Sequence, residues 1–575
     1  MSHQERTERM RTNSMQVDVL RLFYTRVESL SGLMMLWLGT SGVKDGIAQV
    51  SRAAPPLRER SQRQHVLILA PILLIYLFLA FYRIDYQSLW VDEVISVVRA
   101  DPSGPLRLRE RLFKNQSPPY FLLLHLWAKL GTSEFALRSL SVILGGITVC
   151  LAYMTALRLC NRRVAWIGAT LLATSPFLIW YSQEVRYVIL ILPTTLLTMY
   201  AFDRMLFAKR FVWWLCHCCS LILGIAIFVV NIFLPVAQGL FLLCSPSRRP
   251  AWRRWALCLA VVFILFIWRA NDGQVWELGG YWRKLLVHAT TSSEQLSSLP
   301  SADTFYAGGA RKFTLLALPY TFFAFSTGFS LGPSVRELHV SRSLAVLLPH
   351  VLILSISGLL FGTLFIRGIT AIGCQSEIRK LLFFWFVVPL LGALSVSALI
   401  PSLAYNVRYV AAGFPAYILI LALGVASFRR PCMQIALFTG VLVINGLALA
   451  NYYHNPQYSR EDTRSAARYL EAEVHAGDII AVVGDGTALL YYYHGSIPIV
   501  RWGKTTFPSQ VALTDHLQEL SREHEQLWLV ETRLWETDPE GLVKTVVNER
   551  HQLREHKALP GVDIYSYRLH RPLSQ

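Results

Sequence analysis

The sequence predicts a polytopic α-helical membrane protein that carries a small C-terminal α/β domain. Three observations predict it. Of 575 residues, 53% are hydrophobic and only 16% charged, and the mean hydropathy is +0.39; a soluble chain carries about 25% charged residues. Apolar stretches recur between residues 65 and 450, most of them near the ~20 residues that a spanning helix needs. Past residue 450 the pattern changes to alternating helix and strand signals with mixed polarity. A soluble enzyme, a disordered scaffold and a secreted disulfide module are excluded.

Residues 1–64 form a basic, polar segment. Within it, residues 30–43 are apolar but too short to span, so they read as an interfacial helix or a mis-called start site rather than a cleavable signal. The first span is 66–82. Further spans centre on 134–157, 164–181, 186–207, 212–229, 231–244, 255–269, 345–366, 381–400, 406–427 and 431–450, eleven in all. Residues 313–330 are also apolar, but Pro319 and several Ser and Thr interrupt them; they read as a surface or re-entrant segment.

The formal net charge is +18, from 55 Lys and Arg against 37 Asp and Glu. In a soluble protein that excess would suggest nucleic acid. In a membrane protein basic residues collect in cytoplasmic loops and set the orientation. Alternate turns hold Arg158, Arg162 and Arg163; Lys209 and Arg210; Arg248, Arg249, Arg253 and Arg254; Arg367, Arg379 and Lys380; and Arg429 and Arg430. The turns at 229–231 and 401–405 have none. The expected orientation is N-terminus inside and C-terminus outside, with 313–330 not spanning, in the plasma (inner) membrane. Residues 83–133, 270–344 and 451–575 then lie outside, and no nucleic-acid partner is expected.

Residues 451–575 read as an extracytoplasmic α/β domain. A helix over 461–475 has apolar spacing at Ala467, Leu470 and Val474, with Gly477 as its stop. Residues 479–483 and 527–530 read as buried strands. Gly484-Asp485-Gly486 follows a strand but lacks the full dinucleotide fingerprint and reads as a turn. No cysteine follows Cys432, so this region holds no disulfide of its own. Cys216-His217-Cys218-Cys219 lies on a predicted helix, where consecutive side chains diverge by about 100° and do not converge on one ion. No repeat of the two halves is evident, which argues against a secondary transporter or flippase.

Four clusters can carry chemistry. In Leu89-Trp90-Val91-Asp92-Glu93, adjacent acids follow an aromatic anchor. Two such carboxylates either separate in pKa or share a cation, and an ionised one can accept a proton from a hydroxyl. Without function they are two solvated loop acids. In Trp180-Tyr181-Ser182-Gln183-Glu184-Val185-Arg186-Tyr187, Glu184 can help hold a cation and Arg186 has the planar fork that suits phosphate; the bland alternative is an Arg snorkelling at the interface. Arg408-Tyr409 sits on the outer end of a late span, where charge statistics do not favour Arg, so a phosphate partner is one reading and snorkelling the other. Asn115-Gln116-Ser117-Pro118-Pro119-Tyr120 opens a helix too short to span, expected to lie flat and wall the site. His125 on that helix reads as interfacial rather than as a ligand. All four clusters fall on one face of the membrane, the asymmetry of an enzyme acting on a lipid phosphate from outside.

These motifs, with Glu134-Phe135-Ala136-Leu137-Arg138 and Ser175-Pro176-Phe177-Leu178-Ile179-Trp180, resemble the GT-C membrane glycosyltransferases. More narrowly they are similar to glycosyltransferase family 39 and the RgtA/B/C/D-like, protein-mannosyltransferase-like group. Phe414-Pro415-Ala416 after Arg408-Tyr409 resembles the family's late motif. The resemblance is dense over 66–210 and thinner to about 450. Ser117 stands where the family often has His, and Tyr187 follows Arg186 directly. The resemblance implies a GT-C fold, a polyprenyl-phosphate-linked sugar as donor and a glycolipid, lipopolysaccharide or surface glycan as acceptor. It implies Asp92 as base and Glu93 as a supporting or metal-proximal acid. Glu184 and Arg186 match the second-loop motif, and Arg408 the phosphate-side Arg. Tyr409 is taken with Arg408 on the donor phosphate; Trp90, Ser117, Pro118, Pro119, Tyr120 and Gln183 are taken as walls. A divalent metal, Mg or Mn, held by Glu93 and Glu184, is an optional cofactor. Protein O-glycosylation and a lipid-linked glycan flippase are the alternative functions.

Overall fold

The computed structural model describes residues 57–100, 103, 117–207, 210–271, 316–340, 344–375, 379–399, 405–502, 506–507 and 510–570. The interfacial helix expected at 30–43, and Asn115 and Gln116, lie outside the described residues. From Gln64 onward the chain forms one compact unit.

The molecule is mostly helical. Among the described residues seven helices are long and apolar enough to cross a membrane: Gln64–Phe81, Glu134–Leu159, Val188–Phe207, Ala345–Ile372, Lys380–Leu399, Val407–Ala426 and Pro431–His454. The expected span at 164–181 is two pieces, Arg162–Ala173 and Pro176–Ser182, bent by 55°. Pro176 causes the break: it cannot donate to the preceding turn, and it opens the second piece at the first helical position. Counting that pair gives eight. The three remaining expected spans appear as Phe211–Ile227, Phe233–Leu243 and Trp252–Asn271, of 17, 11 and 20 residues. The segment expected not to span contains an 11-residue helix, Ala317–Thr327, about 16 Å long at 1.5 Å per residue. It packs Phe325 on Phe177 of the bent pair, with ring centroids 5.0 Å apart.

Two glycines let central helices meet backbone to backbone. A Cβ on Gly368 would lie 2.0 Å from the Ile420 carbonyl oxygen, and one on Gly424 2.0 Å from that of Leu364. Only hydrogen fits at such a crossing, the small-residue device of membrane helix packing. The helix after Val407–Gly413, Phe414–Ala426, is thereby sunk into the bundle, with residues 414–425 all buried. That burial fixes Arg408, which sits at its entrance.

The C-terminal part holds a five-stranded sheet in the order β2-β1-β3-β5-β4. The strands are β1 (Ile479–Gly484), β2 (Ile499–Trp502), β3 (Gln526–Thr532), β4 (Gln552–Leu559) and β5 (Val562–Arg568). β1 pairs in parallel with β2 and β3, while β5 runs antiparallel to β3 and β4. The helix expected at 461–475 is Thr463–Glu473, with the Asp462 side chain accepting from the Ser465 N–H as its cap. β2 has four residues, β4 is exposed along most of its length and β5 mixes polar with apolar residues, so none of the three carried a clear apolar run in the sequence.

Candidate active site

Helix Val91–Ala100 begins directly after the first membrane helix and its turn, and carries Asp92 and Glu93 in its first turn. Acids there complement the helix dipole. Successive side chains on a helix point about 100° apart, so the two acids enter different surroundings. Glu93 is fully buried. Its Oε1 accepts from Arg138 Nε at 2.9 Å and from the Val185 N–H at 2.9 Å. Its Oε2 accepts from Arg138 Nη2 at 2.8 Å, Arg460 Nη1 at 3.0 Å and the Trp90 N–H at 3.3 Å. Burial alone would push its carboxyl up; the Arg138 and Arg460 charges and these hydrogen bonds outweigh it and hold the group below the usual range.

Asp92 points the other way. Its Oδ2 lies 3.0 Å from Arg186 Nη2 and 3.7 Å from Arg408 Nη1. Arg186 Nη1 also donates to the Asp92 carbonyl at 3.2 Å. The side chains of Asp92, Arg186 and Arg408 are 14%, 11% and 16% exposed, against 0%, 1%, 5% and 2% for Glu93, Arg138, Arg460 and Glu184. The structure therefore separates a reachable trio, two cations around one carboxylate, from a closed group beneath it.

The closed group positions the trio. Arg138 rises from the start of the second turn of helix Glu134–Leu159. It spends its donors on Glu93 and on the carbonyls of Ile84, Gln87 and Ser88, at 2.7 to 3.0 Å. Arg460 joins Glu93 to Glu184, its Nη2 donating to Glu184 Oε1 at 3.0 Å. Its guanidinium carbon also stands 5.0 Å from the Trp180 ring and 5.8 Å from the Trp90 ring, a cation–π arrangement. Burial raises the Glu184 carboxyl, Arg460 and Arg186 oppose, Glu93 and Asp92 add to the rise, and the result is about 7. Gln183 donates to the carbonyls of Ala80 and Tyr82 at 2.9 Å each, clamping the end of the first span.

The remaining expected residues surround this centre. Ser117 is buried with φ 59° and caps helix Pro118–Ala128, which has Pro at its start and packs on Val91–Ala100. The Ser117 hydroxyl donates to the Ile227 carbonyl. Tyr120 is fully buried, and burial raises its phenol. Tyr409 stacks beside Phe228, which also meets Tyr187, at centroid distances of 5.7 and 5.6 Å. These residues form walls. His125, expected at an interface, is instead fully buried, with Nδ1 3.0 Å from the Ala100 carbonyl, and ties helix Pro118–Ala128 to the one bearing Asp92.

The acids do not fit a divalent metal at the expected place. Glu93 offers no free lone pair to a cation, since five protein donors occupy its two oxygens. Between Glu93 and Glu184 stands the Arg460 guanidinium. Among the described residues no three His, Cys, Asp or Glu side chains converge. The metal-proximal role expected for Glu93 thus meets a geometry that makes it a structural counter-ion. In the Cys216–Cys219 run, His217 and Cys218 are buried while Cys219 is exposed, so these side chains diverge along the helix.

Arg460 was not singled out in the sequence, and Arg138 entered only within a motif. Arg460 lies in the junction after the last span, a stretch with no motif; the one signal was an Arg two residues before the Asp462 helix cap.

Comparison with known proteins adds to this geometry. Residues 115–270 match the family model described as dolichyl-phosphate-mannose-protein mannosyltransferase. The matched segment includes Arg138, Glu184 and Arg186 but not Asp92, Arg408 or Arg460. ArnT from Cupriavidus metallidurans in the apo state is similar in structure, with a TM-score of 0.52, 13% identity, and 88% of this chain and 98% of that chain covered. The same protein bound to undecaprenyl phosphate matches at a TM-score of 0.52 and 12% identity, again over 88% and 98%. An Archaeoglobus fulgidus oligosaccharyltransferase, crystallised with Zn and sulfate, matches at 0.47 and 13%, over 87% and 73%. No curated protein matches the sequence. The likeness to ArnT is one of fold: this chain has the GT-C membrane architecture that its motifs resemble.

Proposed function

We propose that this protein is a multi-pass membrane glycosyltransferase that moves a sugar from a polyprenyl-phosphate donor to an acceptor hydroxyl, with inversion, at the outer face of the plasma (inner) membrane. The observation that carries the reading is the Asp92 carboxylate set between Arg186 and Arg408 at one end of a GT-C bundle. In the free protein the two guanidiniums bind Asp92. An arriving phosphate competes for them, because planar Arg forks match its oxygens. Asp92 then loses part of its ion pairing as the donor binds, and its carboxylate is left facing the acceptor.

The acceptor O–H proton passes to Asp92 as the acceptor oxygen attacks the anomeric carbon. The bond from that carbon to the phosphate oxygen breaks, and the departing polyprenyl phosphate keeps the electron pair. Arg186 and Arg408 stabilise the charge that develops on it. A lipid-linked donor is supported by the undecaprenyl phosphate bound to ArnT, whose fold this chain shares. The acceptor we favour is a glycolipid, lipopolysaccharide or surface glycan. A protein hydroxyl is the second reading, favoured by the description of the matching family model. A flippase would need ionisable groups near the midplane of several spans; Asp92, Glu93, Glu184, Arg186 and Arg408 instead lie together at one end of the bundle.

Mass spectrometry of cell-surface glycans, glycolipids and glycoproteins, with and without the gene, tests this reading. Loss of a single sugar is the expected result and names the acceptor. Identical glycan profiles would contradict it.

A further inference from the structure

The segments that carry Asp92 and Arg186 touch through the Arg186–Asp92 ion pair at 3.0 Å and the Val185 N–H on Glu93 Oε1 at 2.9 Å, and a further cation joins them below. Asp92 follows Trp90 and precedes Glu93 in one, and Glu184 and Arg186 share the turn at 183–187 in the other. Beneath them, Arg460 Nη1 donates to Glu93 Oε2 at 3.0 Å and to the Gln183 carbonyl at 3.4 Å, while Nη2 reaches Glu184 Oε1 at 3.0 Å. Arg460 is thus bonded to the residue after Asp92 and to the second residue before Arg186. Its side chain is 5% exposed, so water does not replace it.

The backbone that carries Arg460 is itself fastened to the Asp92 loop. The Arg460 N–H donates to Gln87 Oε1 at 3.1 Å, and Ser88 donates to the Glu461 carbonyl at 2.7 Å. One turn on, Arg464 pairs with Glu134 at 2.9 Å. Glu134 also accepts from the Tyr492 hydroxyl at 2.6 Å, and that hydroxyl accepts from the Leu89 N–H at 2.7 Å. The C-terminal domain therefore clasps residues 87–93 through Arg460, Glu461, Arg464 and Tyr492, and among these Arg460 also reaches the turn at 183–187.

We propose that Arg460 is a positioning residue for sugar transfer: its guanidinium, supplied by the junction between the last membrane helix and the C-terminal domain, locks Glu93 to Glu184 and so sets Asp92 against Arg186. Removing the cation leaves two buried carboxylates facing each other across the gap it filled, and both loops move apart. The role of the C-terminal domain follows: it delivers the strut that completes the membrane site. The inference rests on the transfer function proposed above only for its kinetic readout.

The test uses the full chain in lipid nanodiscs, with Arg460→Gln, Arg460→Lys and Arg460→Ala. Hydrogen exchange is read over peptides covering 85–100 and 183–190, undecaprenyl phosphate binding is titrated, and transfer from a polyprenyl-phosphate sugar is measured. In Arg460→Gln, exchange in both peptides is expected to rise about tenfold. kcat falls about a hundredfold, because reacting groups shift by an ångström, while lipid-phosphate binding and the donor KM stay within about threefold. Arg460→Lys keeps a charge, holds the fold, and recovers part of kcat; added guanidinium restores Arg460→Ala further. Wild-type kcat in folded Arg460→Gln would overturn the proposal, as would faster exchange confined to 455–475. If the unaltered protein transfers no sugar while the exchange pattern holds, the proposed function falls and the strut stands.

Discussion

Glu184 is a carboxyl group held inside the protein, 2% exposed, beside the Arg460 guanidinium. Burial outweighs that charge and leaves its pKa at about 7, against 4.5 for a free glutamate side chain. The folded state keeps a proton that the unfolded chain has released. The stabilisation is therefore complete below about 4.5 and is lost as the pH rises through about 7. At roughly 1.4 kcal/mol per unit, the amount at stake is on the order of 3 kcal/mol. Glu93, held below the usual range, has the opposite sign: its contribution is present above the unfolded value and lost in acid. Melting temperature against pH is expected to fall between pH 4.5 and 7.5 in the native chain, and that fall is expected to flatten in Glu184→Gln. Identical slopes in the two proteins would contradict the assignment. The sequence showed that Asp92 and Glu93 needed either different surroundings or a shared cation. It did not show which, because the answer depends on Arg138 and Arg460, 45 and 367 residues from Glu93.

Among elements, the helices were legible from hydropathy and the breaks were not. A running apolar average passes over Thr174-Ser175-Pro176, so residues 164–181 read as one rod. The bend there turns Pro176–Ser182 toward the site and puts Gln183, Glu184 and Arg186 on the following turn. The short helix Ala317–Thr327 supports that bend and ends at Gly328, whose φ is 69°. A Cβ on Gly328 would lie 2.8 Å from the Pro176 Cβ and 3.2 Å from its carbonyl carbon. Gly328→Ala is therefore strained in backbone and in space, at a cost of about 1–3 kcal/mol. Thermal melting of that variant is expected to show a clear drop in midpoint; an unchanged midpoint would mean that this contact does not brace the bend. In the C-terminal domain, β1 and β3 were readable because they are buried on both faces. β4 is exposed along most of its length and carries no such run.

At the scale of the whole molecule, the charge pattern gave the class and an expected orientation, and the structure gave the assembly. The reachable trio comes from three separate membrane-domain segments, and the closing strut comes from the start of the C-terminal domain. No local window holds such a site. The motifs named most of its members, through their order along the chain, but not how they share bonds. That division accounts for what was missed: the residues proposed to meet substrate sit in recognisable motifs, while Arg460 lies in a junction with no pattern of its own.

The central claim is that Asp92 is the base in a transfer whose lipid phosphate is held by Arg186 and Arg408. Asp92→Asn preserves the size of the side chain and removes its ability to take a proton. With the reconstituted full chain and a polyprenyl-phosphate sugar, kcat is expected to fall by about 10² to 10⁴ while undecaprenyl phosphate still binds. Asp92→Asn that transfers sugar at the unaltered rate would contradict it.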